Sequence, residues 1–202
     1  LGNTLPDLEE VRRKYEIPFQ DYLILMYHPV TTELDRMGRH IEEVAGAIED
    51  SGRPCVAIFP NNDAGSEIIL ERLRALAAGQ PERVRLIPSM RFEYFLRLLK
   101  GATAIVGNSS AGVREAPVYG VPTVNVGTRQ LNRFRDGASV LDVPEDRTAI
   151  LKALANLPRD CAPSRNFGHG NSAELFLEAL GGPGFWSTPR QKQFRDVGIT
   201  RA

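Results

Sequence analysis

"IVGNSSAGVREAP", residues 105–117, is the stretch on which the fold turns. An apolar run stops at Gly107, small and polar residues follow, and a segment with helix-like spacing then begins. A plain turn needs one glycine and an asparagine. Here Asn108, Ser109, Ser110 and Gly112 all stand where a strand would hand over to a helix, and the carboxylate Glu115 lies one turn further on.

The same handover recurs along the chain. "YLILMYH" (22–28), "CVAIFP" (55–60), "VRLIP" (84–88), "TAIVG" (103–107), "PTVNVG" (122–127) and "ASVLDV" (138–143) are brief runs bounded by Pro, Gly, Asn or Asp. Most lack polar alternation, which is how strands covered on both faces read. Between them the spacing predicts helices. Residues 33–50 place Leu34, Met37, Ile41, Val44 and Ile48 on one stripe, residues 66–77 do so with Ile69, Leu73 and Leu76, and residues 92–100 with Phe92, Phe95, Leu96 and Leu99. Further helices fit 111–119, 146–156 and 171–180. Strand–helix alternation of this regularity predicts an α/β fold, a parallel sheet with helices on both faces. No repeat or low-complexity linker interrupts residues 1–180, expected as one domain. The Gly/Pro-punctuated tail, 181–202, is expected to wrap a surface or reach a neighbour.

Composition narrows the function. The 202 residues are 42% hydrophobic and 25% charged, with 25 Lys and Arg balancing 25 Asp and Glu. A nucleic-acid partner calls for clustered basic excess, and a membrane span for 18 or more apolar residues in a row; neither is present in the sequence. Cys55 and Cys161 make no disulfide framework and have no metal-type spacing. Cys55 opens an apolar run and reads as a small core residue. The chain starts abruptly at Leu1 with no signal-peptide pattern, as if a preceding segment were missing.

In parallel α/β folds, ligands bind outside the carboxyl ends of the strands. The residues there are His28 with "PVTTE", then "NNDAGS", "SMRFEYF", "NSSAGVRE" and "TRQ". With Ser109 or Ser110 as N-cap, the first helical amides face the crevice and favour an anion, phosphate above all. Gly112 would let the ligand approach the backbone, and Glu115 suits a ribose diol. Arg129 can pair with a phosphate, whereas Arg114 reads as a helix-surface ion pair. His28, held extended by the proline that follows, can protonate or hydrogen-bond a leaving phosphate because an imidazole titrates near neutrality. Asn61, Asn62 and Asp63 read as turn formers or as an N-capped helix start. Neither a Walker nor a dinucleotide loop is present, and no Ser–His–Asp order, zinc spacing or carboxylate pair stands out.

At "HPVTTE", "FPNNDAGSE", "PSMRFEYFLRLLK", "VGNSSAGVREAPVYGVPTVNVGTRQ" and "FGHGNS" the chain resembles the C-terminal half of the hydrolysing UDP-N-acetylglucosamine 2-epimerases of sialic-acid-type sugar biosynthesis. The resemblance runs from about residue 7 to about residue 180. It implies a Rossmann-like half of a two-domain, glycosyltransferase-B-type fold, working in the cytoplasm as a homo-oligomer without metal or other cofactor. It implies expulsion of UDP from C1 with removal of the C2 proton, then hydration of the resulting glycal to free N-acetylmannosamine. By position, His28 would face the departing phosphate and Asn61 the nucleotide. Ser109 and Ser110 would bind the diphosphate, Glu115 the ribose, Arg129 the phosphates or uracil, and main chain around Met90 the base. The acids for proton transfer belong to the N-terminal half in this family, so the chain alone is expected to bind nucleotide and catalyse nothing. Glu67 stands where feedback-inhibited vertebrate relatives carry lysine, and His169 replaces the aspartate of "GDGN". The same motifs resemble relatives acting on diacetylated bacillosamine nucleotides. Alternative expectations are the donor half of a glycosyltransferase and a non-catalytic nucleotide-binding module.

Overall fold

Six four-residue strands form one sheet in the computed structural model, which describes residues 5–131, 133 and 139–191. They are β1 (Leu23–Met26), β2 (Cys55–Ile58), β3 (Val84–Ile87), β4 (Ala104–Gly107), β5 (Thr123–Val126) and β6 (Val140–Val143), each inside a run expected from the sequence. All five pairings are parallel, in the order β3-β2-β1-β4-β5-β6. The chain therefore builds outward from β1 to β3, then returns to the other side of β1 with β4. In such a sheet the crevice opens where the order reverses, between the carboxyl ends of β1 and β4.

Side chains of successive strand residues point to opposite faces, and the two cores follow that alternation. Leu23 and Leu25 of β1 pack on one face with α2 (Met37–Ser51), α3 (Ser66–Gly79) and α6 (Arg147–Ala155). Ile24 packs on the other with α1 (Leu8–Lys14), α4 (Phe92–Lys100) and α5 (Ser110–Arg114). Cys55 is fully buried in the first core, as its apolar setting implied.

Three helix expectations need correction. The 33–50 segment opens with a 3-10 turn, Leu34–Arg36, and the α-helix starts only at Met37; Leu34 stays 40% exposed, off the stripe that Met37, Ile41, Val44 and Ile48 bury. Phe92 begins α4 yet is 55% exposed, and Leu98 takes a core place beside Phe95, Leu96 and Leu99. The helix expected over 111–119 is two pieces, because Pro117 lacks the amide that would bond Val113. α5 stops at Arg114, and Ala116–Tyr119 follow as a 3-10 turn.

The described residues fall into two compact units, one up to Asn166 and one from Phe167. The second holds α7 (Ser172–Gly181) and α8 (Pro183–Trp186), where the Trp186 indole donates to the Leu180 carbonyl at 2.6 Å. Half of the tail read from the sequence, residues 192–202, lies outside the described residues. No helix among the described residues is long and apolar enough to cross a membrane.

Candidate functional site: the crevice between β1 and β4

β4 ends at Gly107, whose φ of +128° is open to glycine and strained for other residues. A Cβ there would overlap the Met26 carbonyl, so the missing side chain lets the two central strands stay paired as the chain leaves the sheet. That exit delivers Asn108, fully buried, across the top of β1. Its Oδ1 accepts the His28 amide at 2.7 Å and its Nδ2 donates to the His28 carbonyl at 2.8 Å. Its own carbonyl accepts Arg129 Nη1 at 3.2 Å and Gln130 Nε2 at 2.8 Å. One asparagine thus ties the loops after β1, β4 and β5 into a polar knot.

His28 is nine-tenths buried in that knot. Its Nδ1 accepts the Asn61 amide at 3.1 Å, which leaves the ring proton on Nε2. Burial pushes its pKa down to about 4; the Arg129 charge adds to the effect and Asp63 opposes it. The near-neutral titration expected from the sequence therefore gives way to an imidazole that is neutral at pH 7, a hydrogen-bond donor rather than a proton source. Arg129 is half-buried, and desolvation is the main influence lowering its pKa, with Asp63 counteracting it. Asn61 turns its side-chain amide to Asp63, while its Oδ1 is buried without a partner.

Beside the knot lies a pocket of about 300 Å³ lined by Met26, Ile58, Met90, Phe92, Phe95, Ser109, Ser110, Ala111 and Glu115. Ser109 is the N-cap of α5: its Oγ accepts the Ala111 amide at 3.3 Å, and its hydroxyl proton remains available to donate. A five-residue helix carries little macrodipole, so hydroxyls and individual amides matter more here than the dipole. Glu115 caps the far end of α5, and burial pushes its carboxyl above the usual range against the pull of Arg114. Pro117, two residues on, keeps the helix from continuing past Glu115, which lines the pocket.

The fold brings most of the sequence candidates together in two groups. Ser109, Ser110, Glu115 and Met90 share the pocket; His28, Asn61 and Arg129 share the knot. Gly112 is a correction. It faces β5, not the crevice, and a Cβ there would come 2.6 Å from Thr123 Cγ2. Its carbonyl accepts the Thr123 hydroxyl at 2.6 Å, so its small size serves helix–sheet packing. Sequence reasoning did not assign site roles to Asn108 and Gln130, both buried. A polar residue directly after an apolar strand, beside the sheet's reversal, was the available signal for Asn108. Phe92 and Phe95 entered only as core candidates.

Chemically, a strip of donors (Arg129, the two serine hydroxyls, His28 Nε2–H) adjoins an apolar slot with one carboxylate on its wall. That arrangement fits an anion joined to a flat ring through hydroxyl-bearing carbons.

The sequence pattern of the family described as UDP-N-acetylglucosamine 2-epimerase matches residues 2–181. The chain is 42% identical to the UDP-N-acetylglucosamine 2-epimerase of Neisseria meningitidis serogroup B, over 98% of this chain and 53% of that protein. It is 33% identical to polysialic acid biosynthesis protein P7 of Escherichia coli, over 79% of this chain and 40% of that one. It is 31% identical to the hydrolyzing UDP-N,N'-diacetylbacillosamine 2-epimerase of Legionella pneumophila, over 81% and 43%. Thus the chain spans about half the length of the curated relatives it matches. Among solved structures, the UDP-GlcNAc 2-epimerase from Neisseria meningitidis bound to UDP-GlcNAc superposes with a TM-score of 0.66 at 16% identity, over 85% of this chain and 48% of that one. The Methanocaldococcus jannaschii UDP-GlcNAc 2-epimerase in complex with UDP-GlcNAc and UDP gives 0.61 at 19%, over the same shares. At such identities the likeness is one of fold, a Rossmann-like half of a glycosyltransferase-B-type architecture.

Proposed function

The chain belongs to the UDP-N-acetylglucosamine 2-epimerase family, and we propose that it is the nucleotide-binding, C-terminal half of a hydrolysing 2-epimerase. The reaction is the conversion of UDP-N-acetylglucosamine to N-acetylmannosamine and UDP. The C2 proton leaves to a base, the C1–O bond breaks toward UDP, and water then adds its hydroxyl to C1 and a proton to C2 of the glycal. The product serves sialic-acid-type sugar synthesis in the cytoplasm, and the enzyme works as a homo-oligomer.

One observation carries this reading: the donor-lined knot and the apolar slot with its carboxylate adjoin at the reversal of the sheet. Uracil fits the slot near Met90 and Phe92. Glu115 accepts the ribose hydroxyls, while Ser109, Ser110 and Arg129 take the diphosphate. His28, neutral and with its proton on Nε2, donates a hydrogen bond to the leaving phosphate, where charge grows as C1–O breaks. A preformed donor at that oxygen stabilises the transition state more than the ground state. Asn61 orients the ring and Asn108 holds its backbone. Removal of the C2 proton is assigned to acids of an N-terminal half, so this chain alone binds UDP and turns over nothing.

The test is incubation of the whole polypeptide with UDP-N-acetylglucosamine, followed by NMR. Free N-acetylmannosamine plus UDP supports the reading; UDP-N-acetylmannosamine with its nucleotide intact shows epimerisation without hydrolysis and overturns it. A second substrate is favoured by the identity with the Legionella pneumophila relative, so UDP-N,N'-diacetylbacillosamine is run alongside. Sugar transfer that appears only with an added acceptor would make the chain the donor half of a transferase.

A further inference from the structure

A second convergence lies on the β5–β6 side of the same sheet edge. Glu33 comes from the loop after β1, His40 from the first turn of α2 and Glu145 from the loop after β6. One donor atom from each lies within 4.8 Å of the others. His40 Nδ1 stands 3.8 Å from Glu33 Oε2 and 3.7 Å from Glu145 Oε1. His40 is only 8% exposed, and its Nδ1 is buried without a hydrogen-bond partner, aimed between the two carboxylates. Hydroxyls already orient both acids: Thr128 Oγ1 donates to Glu33 Oε1 at 2.7 Å, and the Tyr27 hydroxyl donates to Glu145 Oε1 at 3.4 Å.

Two shielded carboxylates this close repel each other unless a positive charge joins them. Arg147, two residues beyond Glu145, is turned to Asp50 instead. An orphaned ring nitrogen facing two acids, each held in place by a donating hydroxyl, is the donor pattern of a metal centre.

We propose that Glu33, His40 and Glu145 bind one divalent first-row transition-metal cation, of the Zn²⁺ or Mn²⁺ class. Tetrahedral bonds of about 2.1 Å set donor atoms about 3.4 Å apart, so His40 needs to close on each acid by only a few tenths of an ångström, while the two carboxylates, within 4.8 Å of each other, draw together by up to about 1.4 Å through side-chain rotation. Imidazole beside two carboxylates favours such a cation over Mg²⁺ or Ca²⁺, which prefer all-oxygen shells. Water completes the coordination. The cation would clamp the loop that carries His28 to the end of β6 and, through Thr128, to the loop that carries Arg129. It would act on loop order, with no part in the chemistry at the sugar, and it stands whether or not the nucleotide reading does. The wide separation of the three ligands along the chain hides them from any spacing motif.

The test begins with the chain stripped by chelator and dialysed, then titrated calorimetrically with Zn²⁺ and with Mn²⁺, with Mg²⁺ as control. One Zn²⁺ per chain is expected, and X-ray absorption should report one nitrogen and two carboxylate oxygens. Affinity should fall at least about tenfold in His40→Ala, Glu33→Gln and Glu145→Gln, and hold in His169→Ala. Absence of stoichiometric uptake overturns the proposal. So does uptake that is undiminished in Glu33→Gln and Glu145→Gln, or abolished in His169→Ala. Should His40→Ala fail to fold by circular dichroism, the isosteric glutamine variants decide.

Discussion

The knot around Asn108 and the slot beside it rise from the ends of the same strands but are built in opposite ways. In the knot, most polar groups are paired with one another before any ligand arrives: the main chain of residue 28, the Asn108 amide and carbonyl, and donors of Arg129 and Gln130, with the buried Asn61 and Gln130 side-chain oxygens left over. In the slot, Phe92 is 55% exposed and Met90 only partly covered. A charged diphosphate gains most from donors that need no rearrangement, whereas a planar base can be met by adaptable methionine and an open aromatic edge. The contrast separates what the fold fixes in advance from what a ligand would complete.

Four measurements would break or sharpen that contrast. The largest effect is expected for Asn108→Ala, which orphans the buried amide and carbonyl of residue 28. At about 1–3 kcal/mol for each unsatisfied group, urea unfolding should show a loss of about 4 kcal/mol. A loss under about 1 kcal/mol would mean the knot is not a fixed hub. Next comes acid. His28 titrates at about 4 when folded against 6.5 in the reference state, so the unfolded chain takes up the proton first as pH falls. Its contribution is whole above pH 6.5 and is lost between 6.5 and 4, on the order of 3 kcal/mol. His28→Gln should lack that slope, and an identical slope in the variant would assign the acid sensitivity elsewhere. Third, Arg129→Ala should weaken UDP binding by about 2 kcal/mol, roughly thirtyfold, in calorimetry. Unchanged affinity would remove Arg129 from the phosphate end. Smallest is Phe92→Ala, expected to alter stability by less than about 0.5 kcal/mol and UDP affinity by about 1 kcal/mol. If the stability loss exceeds the binding loss, Phe92 belongs to the core after all.

The central strands were legible because they bury both faces, as at Cys55–Ile58; the edge strands β3 and β6 are only partly buried and carry Arg85 and Asp142, and their Val, Ile and Leu content with the flanking turn residues marked them instead. Helix stripes were legible wherever a helix lies flat on the sheet, as with Ile69, Leu73 and Leu76. They failed at the helix ends: Leu34 sits in a 3-10 turn ahead of α2, and Phe92 in the first turn of α4, where one side faces open space. Gly112 was misread because its sequence neighbours are ligand-like, while the surface it faces, Thr123, comes from a different strand. Asn108 escaped for a related reason. Its partners stand at 28, 129 and 130, and only the order of the strands brings them to one place. Local chemistry reads off a sequence; adjacency created by topology does not.

Asn108 grips the backbone of residue 28 and leaves the ring alone. The attachment of the loop is therefore independent of the side chain at that position, and a group of similar size that offers the Asn61 amide an acceptor, as a glutamine carbonyl can, fits the same buried place. A different functional group could be installed there without unthreading the loop, and the crevice becomes a socket whose tool can be exchanged.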